Sequence, residues 1–360
     1  MTSAAWTDGL ITGGVDTHRD THHAAVIDQV GRHLADAEFP ATPAGYRQLL
    51  EWLGEHGRLE RVGVETGAYG AALTRFLRDR GVAVVEVDRP DRKDRRTRGK
   101  SDPIDAYAAA RAALSGTAGG SPKARDGRVE AIRVLRVVRR GAVKARTQTM
   151  NQLKGLIVTA PAELRESLRG LPTAGLIATC ARLRPGTGDQ PVAVMSSCTK
   201  LALRRLARRY QQLSQEIAEL DAELQPLVRA AAPALLELPG VGPEVAGQLL
   251  ASVGDNPDRM RSEAAFAHLC GVAPLPASTG RKDRHGLNRG GDRAANTALH
   301  TVVLTRLRYD PRTREYMRRR TGQGLGKKEI MRCLKRYVAR EVYRVLTAST
   351  SSPPPSAVRA

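Results

Sequence analysis

Cysteine is scarce. The 360 residues hold four, Cys180, Cys198, Cys270 and Cys333, all far apart in the chain. The lack of a CxxC pair or a Cys/His cluster speaks against a structural zinc site, and the thiols read as ordinary reduced ones. Long apolar runs are missing too: none approaches the roughly 18 residues that a membrane-spanning helix requires. The opening stretch MTSAAWTDGLITGG lacks the basic-then-apolar pattern of a secretory signal, so the expected location is the cytoplasm, with access to the chromosome. Acidic residues are in deficit, 37 Asp and Glu against 58 Lys and Arg, for a formal net charge of +21. That imbalance is out of keeping with a typical small-molecule enzyme. It points to a polyanionic partner, most simply nucleic acid, and a membrane surface is the weaker alternative.

Against this deficit the placement of a few carboxylates carries information. The stretch GKSDPIDAYAAARAA puts Asp102 and Asp105 three residues apart at the start of an alanine-rich helix. A first-turn proline, Pro103, and a capping role explain Asp102, and acidic groups suit the positive end of the helix dipole. Asp105 shares a face with Asp102, and two carboxylates held roughly 5–6 Å apart repel unless a cation sits between them. Upstream, LITGGVD reads as a short strand ending in Asp16. HAAVIDQ and HLADAEFPA read as two more strands, joined by a turn at QVGR. TPAGYRQLLEWLGEHG is an amphipathic helix with a Thr42-Pro43 start and a Gly57 stop. RVGVETG is a buried strand ending in Glu65, followed by a helix, the strand VAVVEVD, and the Asp102 helix. Three meandering strands followed by helix, strand, helix, strand, helix predict a mixed α/β fold of the ribonuclease H kind over residues 1–115. In that order Asp16, Glu65, Asp102 and Asp105 converge. Two Mg²⁺ ions about 3.5–4 Å apart would offset their repulsion and build a phosphodiester-cutting site. The tract HRDTHH (18–23) resembles a metal ligand run but reads as incidental to the strand it begins.

Basic segments flank this set. The loop 88–100 holds seven Lys or Arg against three Asp, and Arg92, Lys93, Arg95 and Arg96 are expected to meet phosphates. SGTAGGSPKARDG is a linker by composition. Residues 116–232 then read as linker and helices: a long basic helix near 129–157, and a heptad through Leu203, Leu206, Tyr210, Leu213, Ile217, Leu220 and Leu224. The reading favours a helical hairpin that also mediates self-association. LLELPGVGPEVAGQLLASVGD resembles a helix-hairpin-helix, with backbone amides at Gly240 and Gly242 placed to hold a DNA phosphate. Residues 281–344 contain 19 Lys or Arg against six Asp or Glu, with Arg318, Arg319 and Arg320 consecutive. The mainly helical region 233–346 is therefore expected to bind nucleic acid, ahead of a disordered tail at 347–360.

Taken together, GVDTHRDTH, VGVETGAYG, KSDPIDAYAAARAA, LPGVGPEVAGQLLA, FAHLCGVAPLPASTGRKDRHGLNRGGDRAANTALH and the basic C-terminal helices resemble the DEDD transposases of the "one-ten" group of bacterial insertion sequences, understood as bridge-RNA-guided recombinases. The resemblance covers nearly all of residues 11–346. It implies a domain similar to the RuvC Holliday-junction resolvase, with Asp16, Glu65, Asp102 and Asp105 binding Mg²⁺. It also implies a C-terminal transposase domain whose serine attacks DNA, with the two domains of different protomers forming a composite site. Donor and target DNA, an element-encoded guide RNA and a homodimer or homotetramer are the implied partners. Many relatives carry a Ser-Ser-Gly-like triplet where this chain has Ser278-Thr279-Gly280. Ser278 is the expected nucleophile and Thr279 the alternative, with Arg281, Lys282 and Arg284 flanking them. A loop serine needs such activation, since its free hydroxyl is a poor nucleophile. The competing reading is a Mg-dependent nuclease or junction resolvase that uses water.

Overall fold

A computed structural model describes residues 9–65, 67–87, 101–256, 259–278 and 285–348. The chain forms two compact units, one built from residues 1–127 and 253–261, the other from 128–252 and 262–360.

The first unit is a five-stranded sheet between helices. Strands β1 (Leu10–Thr17), β2 (Thr21–Asp28) and β3 (His33–Pro40) form an antiparallel meander. Strands β4 (Arg58–Glu65) and β5 (Val84–Val87) then join β1 in parallel, giving the spatial order β3-β2-β1-β4-β5. Helix α1 (Pro43–Glu55) starts as its sequence dictates: Thr42 accepts a hydrogen bond from the Gly45 amide at 3.2 Å, and Pro43 occupies the first turn. With α2 (Ala71–Arg78) it covers one face of the sheet, where Ile11, Val15, Val26, Leu49, Leu53, Val62 and Leu73 are buried.

The other face belongs to α3 (Asp102–Leu114), whose Ala106, Tyr107 and Ala110 pack on Ala25 and Ile27. Because strand side chains alternate, β2 sends Ala24 and Val26 to one face and Ala25 and Ile27 to the other. Alanines on α3 and glycines on the strands let this helix lie almost against the sheet backbone. A Cβ on Gly14 would come within 2.2 Å of the Ala106 carbonyl oxygen, and one on Gly63 within 2.5 Å of that of Ala109. Residues 253–256 and 259–261 also belong to this unit: Arg259 bonds the Glu86 carboxylate and the Ser121 carbonyl, and the Asn256 amide bonds the Pro122 carbonyl.

The second unit is helical, and the segments read separately as 116–232 and 233–346 both contribute to it from residue 128 on. Helices α4 (Arg128–Val158) and α7 (Pro191–Ala231) pair antiparallel, since Arg139 bonds Asp221, Arg146 lies over the Tyr210 ring and Leu153 shares a core with Leu203. This is the expected hairpin. Leu203, Ile217 and Leu224 of the heptad are buried; Leu206, Tyr210, Leu213 and Leu220 are half-buried. Short helices α5 (Ala162–Leu168) and α6 (Thr173–Arg182) close its far end.

Beyond the hairpin come α8 (Pro233–Leu236), α9 (Pro243–Val253), α10 (Glu263–Leu269), the two-residue ribbon β6 (Leu275–Pro276) and β7 (His285–Gly286), and then α11 (Arg293–Tyr309), α12 (Pro311–Gly322) and α13 (Lys327–Ala348). Helix α13 runs two residues into the segment expected to be a disordered tail. Residues 349–360 lie outside the described ones.

Candidate functional site

The sheet register places the carboxylates. Val15 of β1 lies opposite Val64 of β4, so Asp16 and Glu65, one residue further along parallel neighbours, lie at the same level; Glu65 ends β4, and β1 runs one residue past Asp16, to Thr17. Asp16 has the parity of Gly14 and Glu65 that of Gly63, so both fall on the face covered by α3. The same close approach brings the start of α3 to the ends of these strands: Ala106 sits over Gly14, Asp105 immediately precedes it, and Asp102 lies one turn earlier. Asp16 and Asp105 are buried, and Glu65 and Asp102 are partly exposed.

Asp102 was expected to cap this helix. Instead Ser101 occupies the cap position in an extended conformation, and Asp102 is the first helical residue. The Asp102 carboxylate lies beside His18, whose Nε2 is 3.3 Å from one oxygen of Asp102 and 3.1 Å from one of Asp16. Among the described residues, Asp16, His18 and Asp102 are the group whose ligand atoms all fall within 4.8 Å of one another. Glu65 and Asp105 stand beside this group without being part of it.

Sequence reading missed His18, because the HRDTHH tract was taken as one unit. Strand alternation divides it. His22 is buried against the Tyr46 ring at a centroid distance of 5.6 Å, and His23 bonds Asp36 at 2.8 Å. Only His18 turns to the carboxylates, and its position two residues after Asp16 was the available signal. A donor set of carboxylate oxygens and one imidazole can hold a divalent cation. Burial lowers the His22 pKa, so that ring is held neutral.

Ser278 is exposed and lies two residues after β6, which pairs with β7 through Leu275–Gly286 and Pro276–His285. Thr279, Arg281, Lys282 and Arg284 lie outside the described residues, as do Arg92, Lys93, Arg95 and Arg96. Within the helix-hairpin-helix segment the two glycines differ. Gly240, with φ +78°, faces α11, where a Cβ would meet the Val302 carbonyl at 3.3 Å, so its freedom from a side chain serves packing. Gly242 has open space around it, ahead of α9. The consecutive arginines of α12 also differ: Arg318 pairs with Glu315, Arg319 lies over the Tyr316 ring and Arg320 bonds Gln323.

No helix among the described residues is long and apolar enough to cross a membrane.

Comparison with known proteins adds an independent line. Residues 13–160 match the sequence model of a transposase family named for the DEDD domain of IS110, and residues 232–318 match that of the transposase IS116/IS110/IS902 family. A Pseudomonas aeruginosa protein described as "Probable family 20 transposase" is 32% identical over 49% of this chain and 49% of its own length. The "Insertion element IS110 uncharacterized 43.6 kDa protein" of Streptomyces coelicolor is 31% identical over 39% of this chain and 33% of its own. The "Mini-circle putative transposase for IS117" of the same organism is 27% identical over 89% of this chain and 90% of its own. The matched stretches thus span about half of the first relative, a third of the second and nearly all of the third.

Proposed function

Because the chain belongs to the DEDD transposase family of IS110-type insertion elements, we propose that it cuts and rejoins DNA to move an insertion sequence. The observation that carries this reading is the meeting of Asp16 and Asp102 around His18, with Glu65 ending the neighbouring strand and Asp105 one turn along the helix. We read the first unit as a ribonuclease H-like, RuvC-like domain, on its strand order and the placement of these acids at strand ends and a helix start.

In this reading Asp16, Glu65, Asp102 and Asp105 hold Mg²⁺, two ions per site. Bound there, the ions would neutralise the scissile phosphate and favour attack on it. The chain's own residues do the rest. Ser278 supplies the attacking hydroxyl: its Oγ bonds to the scissile phosphorus as the P–O3′ bond breaks, which leaves a 5′-phosphoserine ester on the protein and a free 3′-hydroxyl that takes up the proton the serine gives up. Arg281, Lys282 and Arg284 offset the phosphate charge. Arg92, Lys93, Arg95, Arg96 and the arginines of α12 hold the strands by their backbone, which fixes position but reads no sequence. An element-encoded RNA pairing with donor and target DNA would supply the sequence choice, and a dimer or tetramer of this chain would carry out the paired exchanges. The proposed division into a catalytic domain at 1–115, a helical region at 116–232 and a serine-bearing domain at 233–346 follows the same assignment of roles.

The test uses purified protein, its native locus as DNA substrate and any RNA that co-purifies. Asp102→Asn should lower strand cleavage by more than the roughly 10–100-fold that losing an outer-sphere partner of a metal costs, with DNA binding retained. Loss of binding instead would make Asp102 a folding residue. Ser278→Ala should abolish both cleavage and the covalent protein–DNA adduct. Cleavage and joining at the normal rate by that variant would replace the serine reading with a water-using nuclease or resolvase.

A further inference from the structure

The helical unit contains an open cleft of about 1000 Å³ that the acidic site does not use. Its walls are α12, α13 and the residues flanking the β6–β7 ribbon, including Ala277, next to Ser278, and His285 on the opposite strand. That volume is at the upper end for small-ligand sites, enough for a nucleotide with part of its neighbour.

The lining combines cations with an aromatic platform. Arg319, Arg320, Arg332, Lys335, Arg336 and Arg340 all face the cleft. Two carboxylates answer them: Glu263 pairs with Arg336 and Arg340, and Glu329 lies 3.8 Å from Arg332. Arg319, Arg320 and Lys335 have no carboxylate partner among the described residues. Lys335 is held in place by Asn296, whose side-chain oxygen accepts from Nζ at 2.9 Å, and burial lowers its pKa. The Nε of Arg320 is buried without a hydrogen-bond partner among the described residues. Three cations around one hollow, without matching acids, form an anion site of phosphate character. Between them Tyr337 is 46% exposed, its ring met edge-on by Tyr316 at a centroid distance of 5.5 Å and flanked by the Arg340 guanidinium 5.9 Å from its centroid. An exposed ring braced in this way is a stacking surface, and a base reaches it only when it is out of a duplex stack.

We propose that this cleft binds an unpaired nucleotide of a nucleic-acid strand, with its base on the Tyr337 ring and its phosphate among Arg319, Arg320 and Lys335. The proposal rests on the nucleic-acid reading above and deepens it. The strand beside Ser278 would be held with one base extruded, which fixes the adjacent phosphate relative to the serine loop.

The test is fluorescence anisotropy with the full-length protein and three labelled probes: an oligothymidylate of about 20 nucleotides, the same backbone with abasic sites throughout, and a duplex of equal length. Tyr337→Ala should lower the ratio of single-strand to duplex affinity about tenfold, within the range that loss of one base–aromatic stack costs, and Tyr337→Phe should keep it. The abasic strand should bind wild type and Tyr337→Ala alike. Lys335→Gln should weaken the thymidylate and the abasic strand together. An unchanged ratio in Tyr337→Ala, with duplex still bound, overturns the cleft assignment and leaves the transposase reading standing. Wild type that binds none of the probes overturns both. An oligouridylate in place of oligothymidylate assigns the extruded base to RNA if it binds more tightly, and to DNA if it binds more weakly.

Discussion

His18 is the residue through which the acidic site is held together, because its ring lies between Asp16 and Asp102 at 3.1 and 3.3 Å. If the same carboxylates hold Mg²⁺, His18→Ala should raise the Mg²⁺ concentration that half-saturates cleavage while leaving DNA affinity unchanged. A parallel loss of binding would mean that the ring only braces the fold. His22, four residues on, makes a different prediction. Burial holds its pKa below the ordinary value of 6.5, so below that pH the unfolded chain takes up a proton that the folded chain does not. Stability is therefore lost as pH falls below 6.5, and His22→Phe, which can keep the stack on Tyr46, should flatten that part of a denaturation-versus-pH curve. Part of this arrangement was legible from residue spacing: strand alternation and a helix start place Asp16, Glu65, Asp102 and Asp105 near one end of the sheet, while the group that meets within 4.8 Å is Asp16, His18 and Asp102. The pairing of Asp102 with His18 was not legible, since it depends on where His18 lies in space rather than on the helix's own sequence.

Helix α3 works because two strands present glycine beneath it. Alanines on the helix and Gly14 and Gly63 on the sheet bring backbone to backbone, which sets how near Asp102 and Asp105 come to the strand ends. Gly14→Ala would drive a methyl carbon to 2.2 Å from main-chain atoms that cannot rotate away. The helix must lift, at a cost toward the upper end of the roughly 1–3 kcal/mol typical of overpacking. Thermal denaturation measures that cost, and an unchanged midpoint would mean that α3 does not lie where the sheet contacts put it. At the other end of the chain, Asp310 caps α12 by accepting from the Arg312 and Thr313 amides and the Thr313 hydroxyl, which together hold its pKa down. Its contribution is present above the ordinary carboxylate pKa and is lost as pH falls below it. Asp310→Ala should cost about 1 kcal/mol at neutral pH and nothing at strongly acidic pH. The order of strands and helices was legible because hydrophobic period and turn residues are local. The heptad likewise announced the α4–α7 hairpin. The return of residues 253–261 to the first unit was not legible, because it rests on long-range contacts such as Arg259 with Glu86.

Across the whole molecule, a net charge of +21 predicts attraction to any polyanion, which by itself does not locate a binding surface. The salt dependence of binding can separate a general field from local contact. Each phosphate neutralised by contact releases counterions and adds about 0.9 to the slope of log affinity against log salt for duplex DNA. Distant charges change association without adding to that count, since screening removes them beyond roughly 10 Å at 0.1 M salt. Two triple variants therefore make the comparison. Arg318, Arg319 and Arg320 on α12 are predicted to touch nucleic acid. Arg205, Arg208 and Arg209 are exposed on α7 and do not line the cleft. Both triples remove the same charge, so a general field would weaken binding equally in both. Contact at α12 predicts a flatter slope for the first triple alone, by about two rather than three, because Arg318 is already neutralised by Glu315. Equal slopes in the two variants would move the nucleic-acid surface away from α12.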